Sequence, residues 1–237
     1  MKMVIEVKEV EKSYGSVPVL RHCSFCIEEG EIYGLLGVNG AGKTTLMKMI
    51  LGLQQIDGGS ILVLGKEAGA GAEYLSNIGS VIENPVFYEH LNAEEILSMH
   101  LIYMQKEVNI LDALHLVGLD TERKKPISQY SLGMKQRLGL ARAVIHQPKL
   151  LILDEPLNGL DPIGIAQMRD LMRKLAKQGM AILLSSHIIG EILKTADRIG
   201  ILSDGSIKQE FKVAEKVSEW GEHFDDHVVE FMRGETV

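Results

Sequence analysis

Apolar and polar positions change their period several times along the chain, and each change marks a predicted element. Up to about residue 34 the two types alternate (Val4, Glu6, Val7; Val19, Arg21; Phe25, Ile27), with Gly15 and Gly30 as turn punctuation. A period of two suits strands with one buried and one wet face, so this stretch predicts an antiparallel strand group. Ile32-Tyr33-Gly34-Leu35-Leu36 is continuously apolar, as a short buried strand would be. Leu46, Met49, Ile50 and Leu53 then fall at i, i+3, i+4 and i+7, one face of a helix, with Gly52 at its end.

Asp57-Gly58-Gly59-Ser60 reads as a turn into a strand over Ile61-Leu62-Val63-Leu64, and Gly65 to Gly71 as a glycine and alanine linker. Ile78-Gly79-Ser80-Val81-Ile82 is a strand that runs into Glu83 and is stopped by Pro85. From Asn92 to about Gln147 the pattern is helical. Asn92 with Glu95 resembles a capping box, Ile110, Ala113, Leu114 and Val117 form a stripe stopped by Gly118, and Ser131 caps a stripe of Met134, Leu138, Ala141 and Ile145. Leu150 to Leu153 is an all-apolar strand of the kind buried on both faces of a parallel sheet. Asp161 and Pro162 open a helix whose Met168, Leu171, Met172 and Leu175 face the core and which Gly179 closes. Met180 to Leu184 is a further buried strand, and Arg198 to Ser203 with Ile207 to Phe211 makes a hairpin across Asp204-Gly205. The acidic, mixed tail after residue 213 reads as a peripheral helix. Strands alternating with helices predict an α/β fold.

The chemistry concentrates at the ends of the buried strands. Gly37-Val38-Asn39-Gly40-Ala41-Gly42-Lys43-Thr44-Thr45 fits G-x-x-x-x-G-K-[ST] between a strand and a helix. Successive backbone N–H groups of such a loop can close around phosphate oxygens, the helix N-terminus adds positive potential, and Lys43 adds a full charge aimed at the outer phosphates. Thr44 is left to hold Mg²⁺. Gly40-Ala41-Gly42 lacks the third glycine of a dinucleotide fingerprint. Asp154 and Glu155 follow a buried strand, where open α/β sheets bind ligands. With a phosphate loop upstream, Asp154 would hold Mg²⁺ through water and Glu155 would polarise the water that attacks the γ-phosphate.

Other residues carry two readings each. His187 ends a core strand as Asp154 and Glu155 do, so it is either structural or, beside parallel neighbours, close to the γ-phosphate. Glu83 is a ligand-facing carboxylate at a strand end or a solvated one. Tyr14 is a surface tyrosine or a ring that stacks on a nucleotide base. Ser131 is a helix cap, or a cap that also directs N–H groups and its hydroxyl at an anion. Cys23 and Cys26, the two cysteines, lie on a predicted strand three residues apart, which points them to opposite faces and away from shared chemistry.

Composition narrows the partners. The chain has 237 residues, 46% hydrophobic, with net charge −7 and no basic stripe, which argues against a primary role on nucleic acid. No run approaches the roughly 18 apolar residues that span a bilayer, and charges interrupt the first apolar residues too soon for a signal peptide. A cytoplasmic chain is expected, with any membrane role supplied by a partner.

Taken together in this order, the motifs resemble the ATP-binding subunit of an ABC transporter over about residues 2 to 212. Gly37–Thr45 matches that family's Walker A loop, Leu150–Glu155 its Walker B, Asn158–Asp161 its D-loop, His187 its switch histidine and Tyr14 its base-stacking aromatic. Tyr130–Met134 matches the L-S-G-G-Q signature in degenerate form, retaining Ser131 and Gly133. The resemblance implies a P-loop NTPase with a RecA-like core, an N-terminal antiparallel β subdomain and an inserted α-helical subdomain at about 86–147, followed by the tail at 213–237. It implies ATP and Mg²⁺ as ligands, with Thr44, Asp154 and Glu83 on the metal, Glu155, His187 and Glu83 as the catalytic groups, and Asp161 near the nucleotide. It also implies a sandwich of two ATP-binding subunits, as a homodimer or heterodimer. Lys43, Thr44 and Asp154 of one copy would face Ser131 and Gly133 of the other, and movement would pass to integral-membrane permease subunits near Glu83. The protein would then sit on the inner face of the cell membrane. Glu83 departs from the family, most of which has glutamine there. Glu83-Asn84-Pro85-Val86-Phe87-Tyr88, with the segment from Tyr130 to Arg137, is similar to the branch that exports bacitracin or protects lantibiotic producers. A soluble ATPase of the same family acting on ribosomes or DNA is the alternative, though such proteins usually carry tandem cassettes or long insertions.

Overall fold

The structure, a computed structural model, describes residues 2–69, 71, 74–220 and 228. Along the chain run β1 (Met3–Tyr14), β2 (Val17–Glu28), β3 (Ile32–Leu36), α1 (Lys43–Ile50), β4 (Gly58–Val63), β5 (Lys66–Glu67), β6 (Ile78–Val81), α2 (Ala93–Met104), α3 (Ile110–Leu116), α4 (Leu132–Val144), β7 (Leu150–Leu153), α5 (Pro162–Lys177), β8 (Ala181–Ser186), α6 (Ile189–Leu193), β9 (Arg198–Ser203), β10 (Ser206–Lys212) and α7 (Val213–Trp220).

Two sheets form. The first is antiparallel, in the order β2-β1-β4-β5; β2 alternates buried with more exposed residues from Cys23 to Glu28, while register shifts in β1 break the period at Val4-Ile5 and Lys8-Glu9. The second has the order β10-β9-β3-β8-β7-β6; all its pairings are parallel except the β9–β10 hairpin. Every residue of β3, β7 and β8 is buried, which explains why their sequences lack alternation.

Those fully buried strands divide their side chains between two cores. Tyr33, Leu35, Leu150, Ile152, Ala181 and Leu183 join a cluster with the first sheet and with Leu46, Met47, Met49 and Ile50 of α1. Ile32, Leu36, Leu151, Leu153, Ile182 and Leu184 point the other way, to Met168, Met172 and Leu175 of α5 and Ile192 of α6. Helix α1 is thus held between the two sheets, and the loop before it is fixed from both sides. A third cluster, including Leu97, Leu101, Leu114, Leu138 and Ala141, belongs to α2, α3 and α4.

Several local expectations are met in detail. Asn92 and Glu95 exchange both hydrogen bonds of a capping box at the start of α2. Asp161 accepts from Gly164 N at 2.7 Å, with Pro162 as the first residue of α5. Others need correction. Leu53 is 68% exposed, because α1 stops at Ile50 and Gly52 takes a left-handed φ of +69° that turns the chain off the helical face. The expected linker after residue 64 is in part a hairpin: Leu64 and Gly65 both have positive φ, as a two-residue type I′ turn requires, and β5 pairs back on β4. The tail is helical over Val213–Trp220. Its remainder lies outside the described residues apart from Val228, which is buried in the second core.

A histidine pair ties α2 to the main sheet. His100 Nε2 lies 3.2 Å from His146 Nδ1, and His146 Nε2 lies 3.2 Å from the Ile78 carbonyl at the start of β6. Burial first, then the neighbouring His146 and Arg142, pushes His100 down to about 4; burial also lowers His146. Because the folded-state value is depressed, the unfolded chain binds protons between about pH 6.5 and 4 that the folded chain refuses. Stability should therefore fall as pH drops through this window. Denaturant unfolding at a series of pH values should show a smaller loss for His100→Gln than for wild type; equal losses would remove this pair from the acid response.

Candidate active site at the carboxyl ends of the parallel strands

The glycine loop leaves β3 and returns as α1 with little steric freedom. A Cβ on Gly37 would come within 2.6 Å of the Leu202 carbonyl oxygen. Gly42 has φ +104° and presses against Val19 and Leu20, so a side chain there would meet both strain and contact. Gly42 is also the N-cap of α1 and supplies no side-chain cap, and the first turn holds no acidic residue. The N–H groups of that turn are therefore left for a ligand at the positive end of the helix. Val38 and Asn39 lie on the exposed crest of the loop; Ala41 and Thr45 are half-buried.

Behind the loop, polar side chains form a connected set. Lys43 is 6% exposed; its Nζ donates to the carbonyls of Gly37 (2.6 Å) and Val38 (3.2 Å) and lies 3.5 Å from Glu155 Oε1. Thr44 Oγ1 donates to Asp154 Oδ2 at 2.7 Å, and Ser185 Oγ donates to Asp154 Oδ1 at 2.6 Å. Ser185 Oγ in turn accepts from Glu155 N at 2.9 Å. His187 Nδ1 is 3.0 Å from both carboxylate oxygens of Glu155. Glu155 takes a left-handed φ of +49°, unusual for a residue with a side chain and held here by its bonds to Ser185 and Asn158.

Strand order explains the convergence. The glycine loop follows β3, Ser185 and His187 end β8, Asp154 and Glu155 follow β7, and Glu83 follows β6; β3, β8, β7 and β6 are consecutive neighbours with their carboxyl ends on one side.

Glu83 (φ +61°) is exposed and forms an ion pair with Lys48 Nζ at 2.7 Å. Tyr14, at the end of β1 and 47% exposed, has its hydroxyl bonded by Gln54 Nε2 and Lys12 Nζ 5.8 Å from its ring centre. Ser131 Oγ accepts from Met134 N at 3.3 Å as the cap of α4, and a Cβ on Gly133 would lie 3.4 Å from Leu160. The start of α4 therefore packs beside the loop that leads into Asp161. Ser131 and Asp161 bond within their own helix caps rather than to the Lys43 to His187 set. Cys23 is buried, with its thiol pushed up to about 12 chiefly by that burial, and Cys26 is partly buried. Two participants escaped the sequence reading: Ser185, whose signal was a serine at the end of a fully apolar strand, and Lys48, one helical turn after Thr44.

The Thr44 hydroxyl and the Asp154 carboxylate, already 2.7 Å apart, offer oxygen ligands of the kind Mg²⁺ takes together with water and substrate phosphates. Among the described residues no group of three or more His, Cys, Asp or Glu could hold a metal ion. No helix among the described residues is long and apolar enough to cross a membrane. A cleft of about 1200 Å³ between α3, α4, α5 and the start of β1 contains none of these side chains, and the chemistry lies at the open strand ends instead.

Known proteins resemble this chain over most of its length. The family described as "ABC transporter" matches residues 20–158. The bacitracin transport ATP-binding protein of Bacillus licheniformis is 45% identical over 214 residues, covering 89% of this chain and 70% of that protein. The lantibiotic transport ATP-binding protein of Streptococcus pyogenes is 42% identical over 219 residues, covering 91% of this chain and 95% of that one. A solved structure of an ATP-binding subunit of an ABC transporter superimposes with a TM-score of 0.85 at 29% identity, over 95% of this chain and 99% of that one.

Ser185→Ala would leave Asp154 Oδ1 and Glu155 N–H short of a partner in a buried place. Urea unfolding should show a loss of about 1–3 kcal/mol with an unchanged m-value, against less than about 0.5 kcal/mol for the exposed control Ser16→Ala. Equal effects would mean that Ser185 bears no structural load at the site.

Proposed function

The chain belongs to the ABC transporter family, whose ATP-binding members hydrolyse ATP, and on that premise we propose that it powers a membrane exporter of antimicrobial peptides. The observation that carries the hydrolytic reading is the bonded set of Lys43, Thr44, Asp154, Glu155 and His187 behind a glycine loop. The cargo reading is supported by similarity to proteins named for bacitracin and lantibiotic transport.

In this reading the loop from Gly37 to Thr45 binds the phosphates of ATP through its backbone N–H groups, and Lys43 exchanges the Gly37 and Val38 carbonyls for phosphate oxygens. Thr44 and Asp154 would hold Mg²⁺, which when bound neutralises charge on the phosphates. Glu155 accepts a hydrogen bond from the attacking water and so orients it. His187, with its proton on Nδ1, holds the Glu155 carboxylate in position. Tyr14 stacks on the base, and Glu83 reaches the metal side of the site. Ser131, Gly133 and Asp161 face the nucleotide held by a second ATP-binding subunit, so that the N-terminus of α4 supplies positive potential in trans.

Residues 1–212 act as the ATP-binding unit, with 86–147 as its helical arm. A membrane permease docks beside Glu83, where Val86 and Tyr88 are exposed apolar side chains that a partner would cover. The protein then works from the inner face of the membrane.

Glu155→Gln should retain ATP binding, read with a fluorescent analogue, while turnover falls by two or more orders of magnitude, about 2.7 kcal/mol or more of barrier. Near-normal turnover would remove Glu155 from the chemistry. A bacitracin- and lantibiotic-sensitive bacterium carrying the wild-type chain with its neighbouring membrane-protein genes should gain resistance, and the Glu155→Gln strain should not. Equal resistance in both strains would separate this chain from export.

A further inference from the structure

The ion pair between Lys48 and Glu83 joins α1 directly to the turn that follows β6. Thr44 and Lys48 are four residues apart on α1 and so share one helical face. Glu83 sits in a left-handed turn between fixed points. Just before it, the Val81 carbonyl accepts from Asp154 N at 2.9 Å; just after it, Asn84 Oδ1 accepts from Gln136 Nε2 of α4 at 3.1 Å, and Pro85 lies against Gly139 of the same helix. The turn is thus attached to α4 on one side, and its carboxylate is attached to α1 through Lys48 at 2.7 Å. Asp154 accepts from both Thr44 and Ser185, while Glu83 is bonded to Lys48. The hydrogen bond to Glu83 raises the Lys48 ammonium above its ordinary range, against partial burial and with smaller contributions from Glu83, Asp154 and Tyr14; the same pairing lowers Glu83.

Resting on the ATP-site reading above, we infer that Lys48 is a positioning residue that holds the Glu83 carboxylate off the Thr44–Asp154 pair, and that Glu83 trades this ammonium for the cation when the site is loaded. A glutamine at position 83 could not form the ion pair, so the device belongs to chains that combine a carboxylate here with a lysine one turn after the loop threonine.

The test is a cycle of full-length wild type, Lys48→Met, Glu83→Gln and the double variant, each also carrying Glu155→Gln to suppress turnover. The readout is equilibrium binding of a fluorescent ATP analogue, titrated with Mg²⁺ and repeated in EDTA. Lys48→Met should lower the Mg²⁺ concentration for half-maximal binding by about two- to fivefold, the range expected of a partly exposed ion pair. The shift should vanish in the Glu83→Gln background, and Lys48→Arg should restore the wild-type midpoint. A cation that merely repelled Mg²⁺ would give the same shift in both backgrounds, and that result overturns the inference, as does no shift in either. Failure of wild type to bind the analogue in any condition would instead overturn the ATP-site reading itself.

Discussion

The hydrogen bond from Thr44 to Asp154 is the constraint on which the site depends. It joins the first turn of α1, the helix after β3, to the end of β7; β8 lies between β3 and β7 in the sheet and adds Ser185 as the third member. None of these contacts is local in sequence: Thr44 and Asp154 are 110 residues apart, and Ser185 and Asp154 are 31 apart. The parallel register of β3, β8 and β7 is what makes them neighbours, and that register is set by apolar side chains on both faces of the sheet. Packing of Leu35, Leu183 and Ile152 on one side and Leu36, Leu184 and Leu153 on the other therefore determines where the carboxylates stand.

Two adjacent carboxylates at a half-closed strand end repel each other, and the surroundings answer this in separate ways. Asp154 is 6% exposed and takes its compensation from two hydroxyl donors. Glu155 takes its own from Lys43 and His187, and its left-handed backbone turns its side chain away from the line of the strand. Lys43 is satisfied by loop carbonyls, weaker acceptors than phosphate oxygens, so its ammonium is ready to exchange them. The polar side chains of the set are thus bonded to one another across three strand ends.

Legibility in the sequence followed the range of the interaction. Strand, glycine loop and helix in succession, the Asn92–Glu95 capping box, the Asp161 cap and the β9–β10 hairpin are local patterns, and each was readable from spacing. The strand order was not, because apolar runs of four to six residues carry no record of which neighbour they choose. For that reason Glu155 and His187 could be named as strand-end candidates while their 3.0 Å contact and the bridging role of Ser185 could not. Leu53 misled because it continued a helical period that Gly52 had already broken. Lys48 was invisible for another reason: on α1 it reads as an ordinary solvated lysine, and only the position of Glu83 across the site gives it a partner.

The most direct test of the central claim, that the Thr44–Asp154–Ser185 bridge organises an ATP-hydrolysing site, is phosphate release by the purified chain with and without Mg²⁺, in wild type and in Lys43→Ala. The account predicts Mg²⁺-dependent release in wild type and a fall of about a hundredfold or more in the variant, the scale on which removal of a transition-state charge donor acts. Equal release by the two proteins, or release indifferent to Mg²⁺, would contradict it.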